Sequence, residues 1–199
     1  MIKNIIFDIG NVLLKFEPRK YLTKLFNNKE IEDLLFNEIF KSDEWLLLDK
    51  GSISETDATS IFVERLPERN IDINLCMSNW KSILVPIKEN VEVLKSLHNK
   101  GYNLYILSNF HKAAYNHIID SHDFFSLFHG GAVSFEENLL KPNIEFFNIL
   151  LDRYALNPCE CLFIDDTLDN ITAASSLGVN VIHYTGDFLL EDKIKSFID

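Results

Sequence analysis

The sequence predicts an α/β fold: a parallel five-stranded core sheet flanked by helices, with a small helical cap inserted after the first strand. Three observations lead there. Short apolar runs rich in β-branched and aromatic residues alternate with longer segments of helical period. Most of the runs lack polar alternation, as expected of strands buried on both faces. One stretch, from about 17 to 85, holds helical patterns and no convincing strand.

Strands are expected near 3–8, 102–107, 131–134, 160–165 and 179–184. Between them, segment 88–99 sets Val91, Leu94 and Leu97 on one helical face before Gly101, a residue suited to ending a helix. Segment 143–154 repeats apolar residues at Ile144, Phe147, Leu151 and Tyr154, and segment 167–177 stops before Gly178. The early block divides into helical patterns at 18–27, 29–40, 54–66 and 72–84, punctuated by Gly51 and the Pro67 region. The expected organisation is a core of residues 1–16 and 86–199, with 17–85 as the cap.

Composition narrows the function. A chain of 199 residues fits one core domain carrying a modest insertion. Its 47% hydrophobic content, with 16 Phe, supplies a real core. A formal charge of −11 argues against a nucleic-acid partner, whose phosphates call for a basic face. No apolar stretch approaches the length needed to cross a bilayer, so no membrane partner is expected. Cys76, Cys159 and Cys161 form no disulfide framework. Cys161 lies in the apolar run Cys-Leu-Phe-Ile and is expected to pack rather than to ligate. The expected compartment is a reducing cytoplasm.

Four constellations fall at or just after the C-terminal ends of expected strands, where open α/β sheets bind ligands. Asp8 closes the first strand in Phe-Asp-Ile-Gly-Asn-Val. Ser108 and Asn109 close the second; a hydroxyl and adjacent backbone N–H groups there suit phosphate oxygens. Lys141, before Pro142 at a helix start, can neutralise an anion. Asp165 and Asp166 end an apolar strand, and two adjacent carboxylates there are costly without a cation. An oxygen-only set favours Mg²⁺ over zinc, whereas a helix cap would account for only one of the two acids.

Taken in order, nucleophile candidate, Ser, Lys and acidic pair, these motifs resemble those of the haloacid-dehalogenase superfamily. The resemblance covers the whole chain and includes Ile-Ile-Phe-Asp at the start, Val-Ser-Phe-Glu-Glu before Leu-Leu-Lys-Pro, and Ala173-Ala174 before Leu-Gly-Val. Asp-x-Gly-Asn-Val with a helical insert looks most like the group of α-D-glucose 1-phosphate phosphatase, and more distantly the N-terminal phosphatase domain of epoxide hydrolase. About thirty residues separate Ser108 from Lys141, too few for the large alternative cap of other members.

The resemblance implies a Rossmann-like core and a Mg²⁺-dependent phosphomonoester hydrolase acting on a small phosphorylated metabolite, such as a sugar phosphate, as monomer or homodimer. Asp8 would be the covalent nucleophile. Asp8, the Gly10 carbonyl and Asp166 would hold Mg²⁺, with Asp165 acting through a water. Ser108, Asn109 and Lys141 would bind phosphate, and Asn170 would be a supporting polar residue.

Gly10 departs from the pattern, because most phosphatases of the superfamily carry there a second Asp that protonates the leaving oxygen and later activates water. Such help is worth about 10²–10⁴-fold in rate. Three accounts stay open: a good leaving group such as an anomeric hydroxyl, substitution by a cap residue such as Glu17 or a histidine, or a catalytically weak binding or regulatory protein. Dehalogenase chemistry needs no acidic pair, phosphonatase chemistry needs a lysine that nothing marks out, and a mutase needs the acid that Gly10 lacks. A receiver domain would place its acidic pair before its nucleophile, the reverse of the order here. Trp45, Trp80, Phe16 and Phe40 can line a pocket, although core is the simpler home for each. His111 and His117, just after Ser-Asn, can touch substrate or the cap, although solvated helix positions are the simpler home for both.

Overall fold

A computed structural model describes residues 1–198 of the chain. Five strands form one parallel sheet: β1 (Asn4–Phe7), β2 (Asn103–Ser108), β3 (Gly130–Val133), β4 (Cys161–Asp165) and β5 (Asn180–His183), in the order β3-β2-β1-β4-β5. Every residue of β1 and β4 is buried, which is why their sequences read as unbroken apolar runs. The order reverses direction at β1, and this is where doubly wound sheets open a ligand crevice.

The strands lie where the sequence placed them, each within about two residues at either end. Helices α6 (Lys88–Asn99), α9 (Ile144–Arg153) and α10 (Leu168–Ser176) connect them as expected. Short α8 (Ser134–Glu137) follows β3. Two further helices were not read from the sequence: α7 (Lys112–Ser121) after β2, and α11 (Leu190–Ile198), which buries Leu190 and Ile194. Helix α7 buries only Ala114 and Ile118, whereas α11 carries Leu190, Ile194, Phe197 and Ile198 at helical spacing, a stripe that the sequence reading passed over. Cys161 is buried in the core, as expected.

Between β1 and β2, ahead of α6, the regular elements are helices: α1 (Pro18–Phe26), α2 (Lys29–Leu35), α3 (Asp43–Asp49), α4 (Glu55–Arg65) and α5 (Asn70–Asn79). The expected helix over 29–40 changes to a π-helical turn at Phe36–Phe40, and that over 72–84 starts earlier and tightens to a 3-10 turn at Trp80–Ile83. Helix α3 was missed, because Leu46-Leu47-Leu48 has no amphipathic period; the Ser42 hydroxyl, which accepts from Trp45 N–H, starts it. Asn28 and Ser54 cap α2 and α4 in the same way.

Aromatic rings hold this block together. Trp45 and Trp80 meet edge to face at 5.0 Å, and Phe16 and Phe40 pack against Trp45 at 6.1 and 4.8 Å. Trp45 and Trp80 are buried, each side chain contributing about 1.5–3 kcal/mol of hydrophobic stabilisation. Beyond α3, Gly51 has φ +75°, and a Cβ there would sit 2.5 Å from the Phe135 carbonyl oxygen. Only glycine therefore allows the end of α3 to abut α8. Ser134 donates to the Asp49 carbonyl oxygen at the same junction.

Candidate active site

The register of the sheet brings the candidate residues together. Phe7 pairs with Ile106 on one side and Ile164 on the other. Asp8 therefore emerges level with Leu107 and Asp165, with Ser108 one residue further on. The segment before α9 carries Lys141 to the same point, its backbone N–H donating to Asn109 Oδ1 (2.8 Å) while Asn109 Nδ2 donates to the Lys141 carbonyl (3.1 Å). The Asn109 side chain is thus engaged at both ends in holding this loop.

Asp8, Ser108, Lys141 and Asp165 are all buried. Ser108 Oγ donates to Asp8 Oδ1 at 2.6 Å. Lys141 Nζ lies 2.9 Å from Asp8 Oδ1 and 2.5 Å from Asp165 Oδ2, and donates to the Leu107 carbonyl at 2.9 Å. Asp165 also accepts from Thr167 N–H (2.8 Å) and from Asn170 Nδ2 (2.9 Å), which places the Asn170 side chain against this carboxylate. Asp166 is half-buried and accepts from Asn11 Nδ2 at 2.9 Å.

Electrostatically the site is short of positive charge. Asp8, Asp165 and Asp166 offer oxygens within 4.8 Å of one another. Lys141 faces two of them and supplies one charge, leaving a formal excess of two negative charges when all three carboxylates are ionised. Burial pushes the Asp8 carboxyl up to about 7, with Asp165 and Asp166 adding to the rise and Lys141 and the Ser108 hydroxyl opposing it. Burial would lower Lys141, but Asp8 and Asp165 more than offset this and keep the ammonium charged. Three oxygen donors and an excess of two negative charges fit a hard divalent cation.

Gly10 stands at the edge of this cluster, and a Cβ built on it meets nothing within 4 Å. Steric crowding is therefore not why a side chain is missing there. Asn11, which sequence reasoning left unassigned, has φ 52°, a conformation in which asparagine is enriched. Its amide spans from Asp166 to the Phe16 N–H.

A small cavity of about 70 Å³ opens beside Gly10 and Asn109 and is roofed by Phe16, Trp45, Asp49, Trp80 and His111. Phe40 is absent from its lining and serves the aromatic core. A larger cleft, about 910 Å³, runs past Glu55, Lys112 and Phe135, and neither it nor the small cavity is lined by Asp8, Ser108, Lys141, Asp165 or Asp166. The small cavity is the one that touches Gly10 and Asn109, which lie within two residues of Asp8 and Ser108 along the chain.

His111 corrects the expectation of a solvated position. It is buried, packs against Trp80 at 4.9 Å, and meets Asp49 Oδ1 through Nδ1 (3.3 Å) and Glu55 Oε1 through Nε2 (3.2 Å). The physical reason is that it precedes α7 and faces α3 and α4, whose carboxylates solvate it in place of water. His117, within α7, is exposed as expected. Glu17 pairs with Lys20 at the surface.

These features define a hydrolase with a carboxylate cluster at the topological switch point. The chain belongs to the haloacid dehalogenase-like hydrolases, whose family model matches residues 2–178. It is 25% identical over 183 residues to a sesquiterpene phosphatase of Aspergillus oryzae, covering 92% of this chain and 90% of that one. A chloroplast flavin mononucleotide hydrolase of Arabidopsis thaliana is 25% identical over 150 residues, 74% of this chain and 60% of the other. Among solved structures, a haloacid-dehalogenase-family enzyme of Bacteroides thetaiotaomicron, in complex with magnesium and inorganic phosphate, superimposes with TM-score 0.70 at 25% identity, covering 92% of this chain and 93% of its own. Among the described residues, no helix is long and apolar enough to cross a membrane.

Proposed function

We propose that this chain is a phosphatase that hydrolyses a small phosphomonoester through a covalent aspartyl-phosphate on Asp8. The observation that carries this reading is the buried Asp8 carboxylate held by Ser108 and Lys141 beside two further carboxylates with excess negative charge. The sesquiterpene phosphatase and the phosphate-bound relative support the same class.

Asp8, the Gly10 carbonyl and Asp166 would hold Mg²⁺, with Asp165 behind them; the ion supplies charge neutralisation at the phosphoryl oxygens. Everything else falls to the chain. Asp8 attacks phosphorus in line, opposite the leaving oxygen. Ser108 and Lys141 turn their donors from Asp8 to the phosphoryl oxygens, and the Asn109 backbone N–H joins them. Lys141 also lowers the repulsion between Asp8 and an anionic substrate. Asn170 and the Thr167 N–H keep Asp165 from swinging toward Asp8.

Residues 17–85 serve as a cap over a core of 1–16 and 86–199, and the leaving portion of the substrate lies under its aromatic roof. A cavity of about 70 Å³ is smaller than a usual metabolite pocket of about 300–1,000 Å³, so the cap opens to admit substrate. A sugar phosphate such as glucose 1-phosphate, as in the α-D-glucose 1-phosphate phosphatase group, is the first substrate of choice. Its anomeric oxygen is a good leaving group, and its apolar face suits Trp45 and Trp80. The setting is cytoplasmic, and the working unit a monomer or homodimer.

The test is phosphate release from a panel containing glucose 1-phosphate, glucose 6-phosphate, flavin mononucleotide and a prenyl phosphate, with Mg²⁺ and with EDTA. Mg²⁺-dependent turnover of at least one is expected. No turnover on any, with phosphate still bound, would instead favour a binding or regulatory protein.

A further inference from the structure

We propose that Asp49 is the general acid and base of the reaction, reaching from the cap into the cavity beside Gly10 and fixed there by His111. The inference rests on the phosphatase reading above and supplies the group that Gly10 lacks.

Among the described residues, Asp49 is the only carboxylate lining the cavity that reaches Gly10 and Asn109. In-line attack by Asp8 places the leaving oxygen on the far side of phosphorus, which is the cap side. A second carboxylate is needed there, and position 10 has open space where its side chain would begin.

Of the two carboxylates that meet His111, Asp49 is the one with an unengaged oxygen. Glu55 is committed as an anion. It accepts from Trp80 Nε1 (3.0 Å), Lys81 Nζ (2.7 Å) and His111 Nε2 (3.2 Å). Against burial, which would raise it, the His111 and Lys81 contacts hold its carboxyl at about 2. Burial would lower His111, and the Asp49 and Glu55 contacts more than compensate, which favours its charged form. Asp49 has one contact to His111 through Oδ1, while its Oδ2 makes no hydrogen bond among the described residues. The Asp49 carbonyl, held by Ser134, and the Gly51–Phe135 contact pin the end of α3 against the core.

The cycle balances. Asp8 carboxylate oxygen bonds to phosphorus as the bond to the leaving oxygen breaks, and that oxygen takes the proton of the Asp49 carboxyl. Asp49, now a carboxylate, removes a proton from water as the water oxygen attacks phosphorus. The Asp8–phosphorus bond breaks, regenerating Asp8 and protonated Asp49 and releasing phosphate. His111 is a positioning residue and touches neither reacting atom.

The decisive experiment compares kcat/KM, which covers the steps up to phosphoryl transfer, for an alkyl phosphate and for p-nitrophenyl phosphate. Asp49→Asn is expected to lose about 10²–10⁴-fold on the alkyl ester and less than about tenfold on the p-nitrophenyl ester, whose leaving group needs no proton. Adding Gly10→Asp to Asp49→Asn is expected to restore much of the alkyl-ester activity. Equal losses on both esters, or no rescue by Gly10→Asp, would overturn the assignment while leaving the phosphatase reading intact. Absence of turnover by the wild-type protein on either ester would remove that reading, and this proposal with it.

Discussion

Lys141 Nζ lies 2.5 Å from Asp165 Oδ2, and both groups are buried at the C-terminal edge of the sheet. The same ammonium touches Asp8, so one lysine balances two carboxylates that are kept from water. Removing it leaves two uncompensated charges. Lys141→Met is expected to destabilise the protein by about 3–5 kcal/mol and to abolish turnover, as read by urea denaturation and phosphate release. Lys141→Arg should not rescue turnover, because a planar guanidinium cannot reach Asp8, Asp165 and the Leu107 carbonyl from one point.

Carboxylate crowding also makes the resting site a source of instability. Asp8→Asn removes one of the three negative charges, so it should be at least as stable as wild type in EDTA while losing phosphatase activity. Thermal unfolding checks this, and a large fall in Tm would contradict the charge argument.

Metal binding should appear as stability before it appears as rate. At about 100 times its Kd, Mg²⁺ is expected to stabilise the folded protein by about 2.7 kcal/mol. Asp166→Asn should remove most of that gain, since among the described residues its carboxylate is met by Asn11 and Thr167 and by no lysine. Differential scanning fluorimetry with and without EDTA reads both effects.

The cap should be anchored most firmly in mildly acidic solution. Glu55 is depressed from 4.5 to about 2, so its contribution is present above about 4.5 and is lost as pH falls toward 2. His111 is raised above 6.5, so its contribution is present below 6.5 and is lost as pH rises through its folded value. Glu55→Gln should cost of order 2 kcal/mol between those limits and much less at pH 2, as measured by denaturation across pH.

Much of the site was legible in the sequence, for a physical reason. Asp8, Ser108 and the Asp165-Asp166 pair each end a buried strand, and a polar residue closing an apolar run is visible without coordinates. Lys141 and Asn170 followed from the same ordered motifs. The Asp49–His111–Glu55 contact was not legible. Its members lie 62 and 56 positions apart, and only the docking of α3 and α4 onto the start of α7 joins them. For the same reason His111 was expected in solvent, and α3 was missed where its leucines fall consecutively rather than at helical spacing. Phe16, Trp45 and Trp80 turned out to serve both readings, packed as core and facing the small cavity.

The central claim is the covalent role of Asp8, and trapping the intermediate tests it most directly. Protein quenched in acid during turnover of glucose 1-phosphate or another accepted ester would be digested and mapped by mass spectrometry. A phosphoryl adduct on the peptide bearing Asp8, released by hydroxylamine as an acyl phosphate is, is the expected result. Sustained turnover with no such adduct, or an adduct on a different side chain, would contradict it.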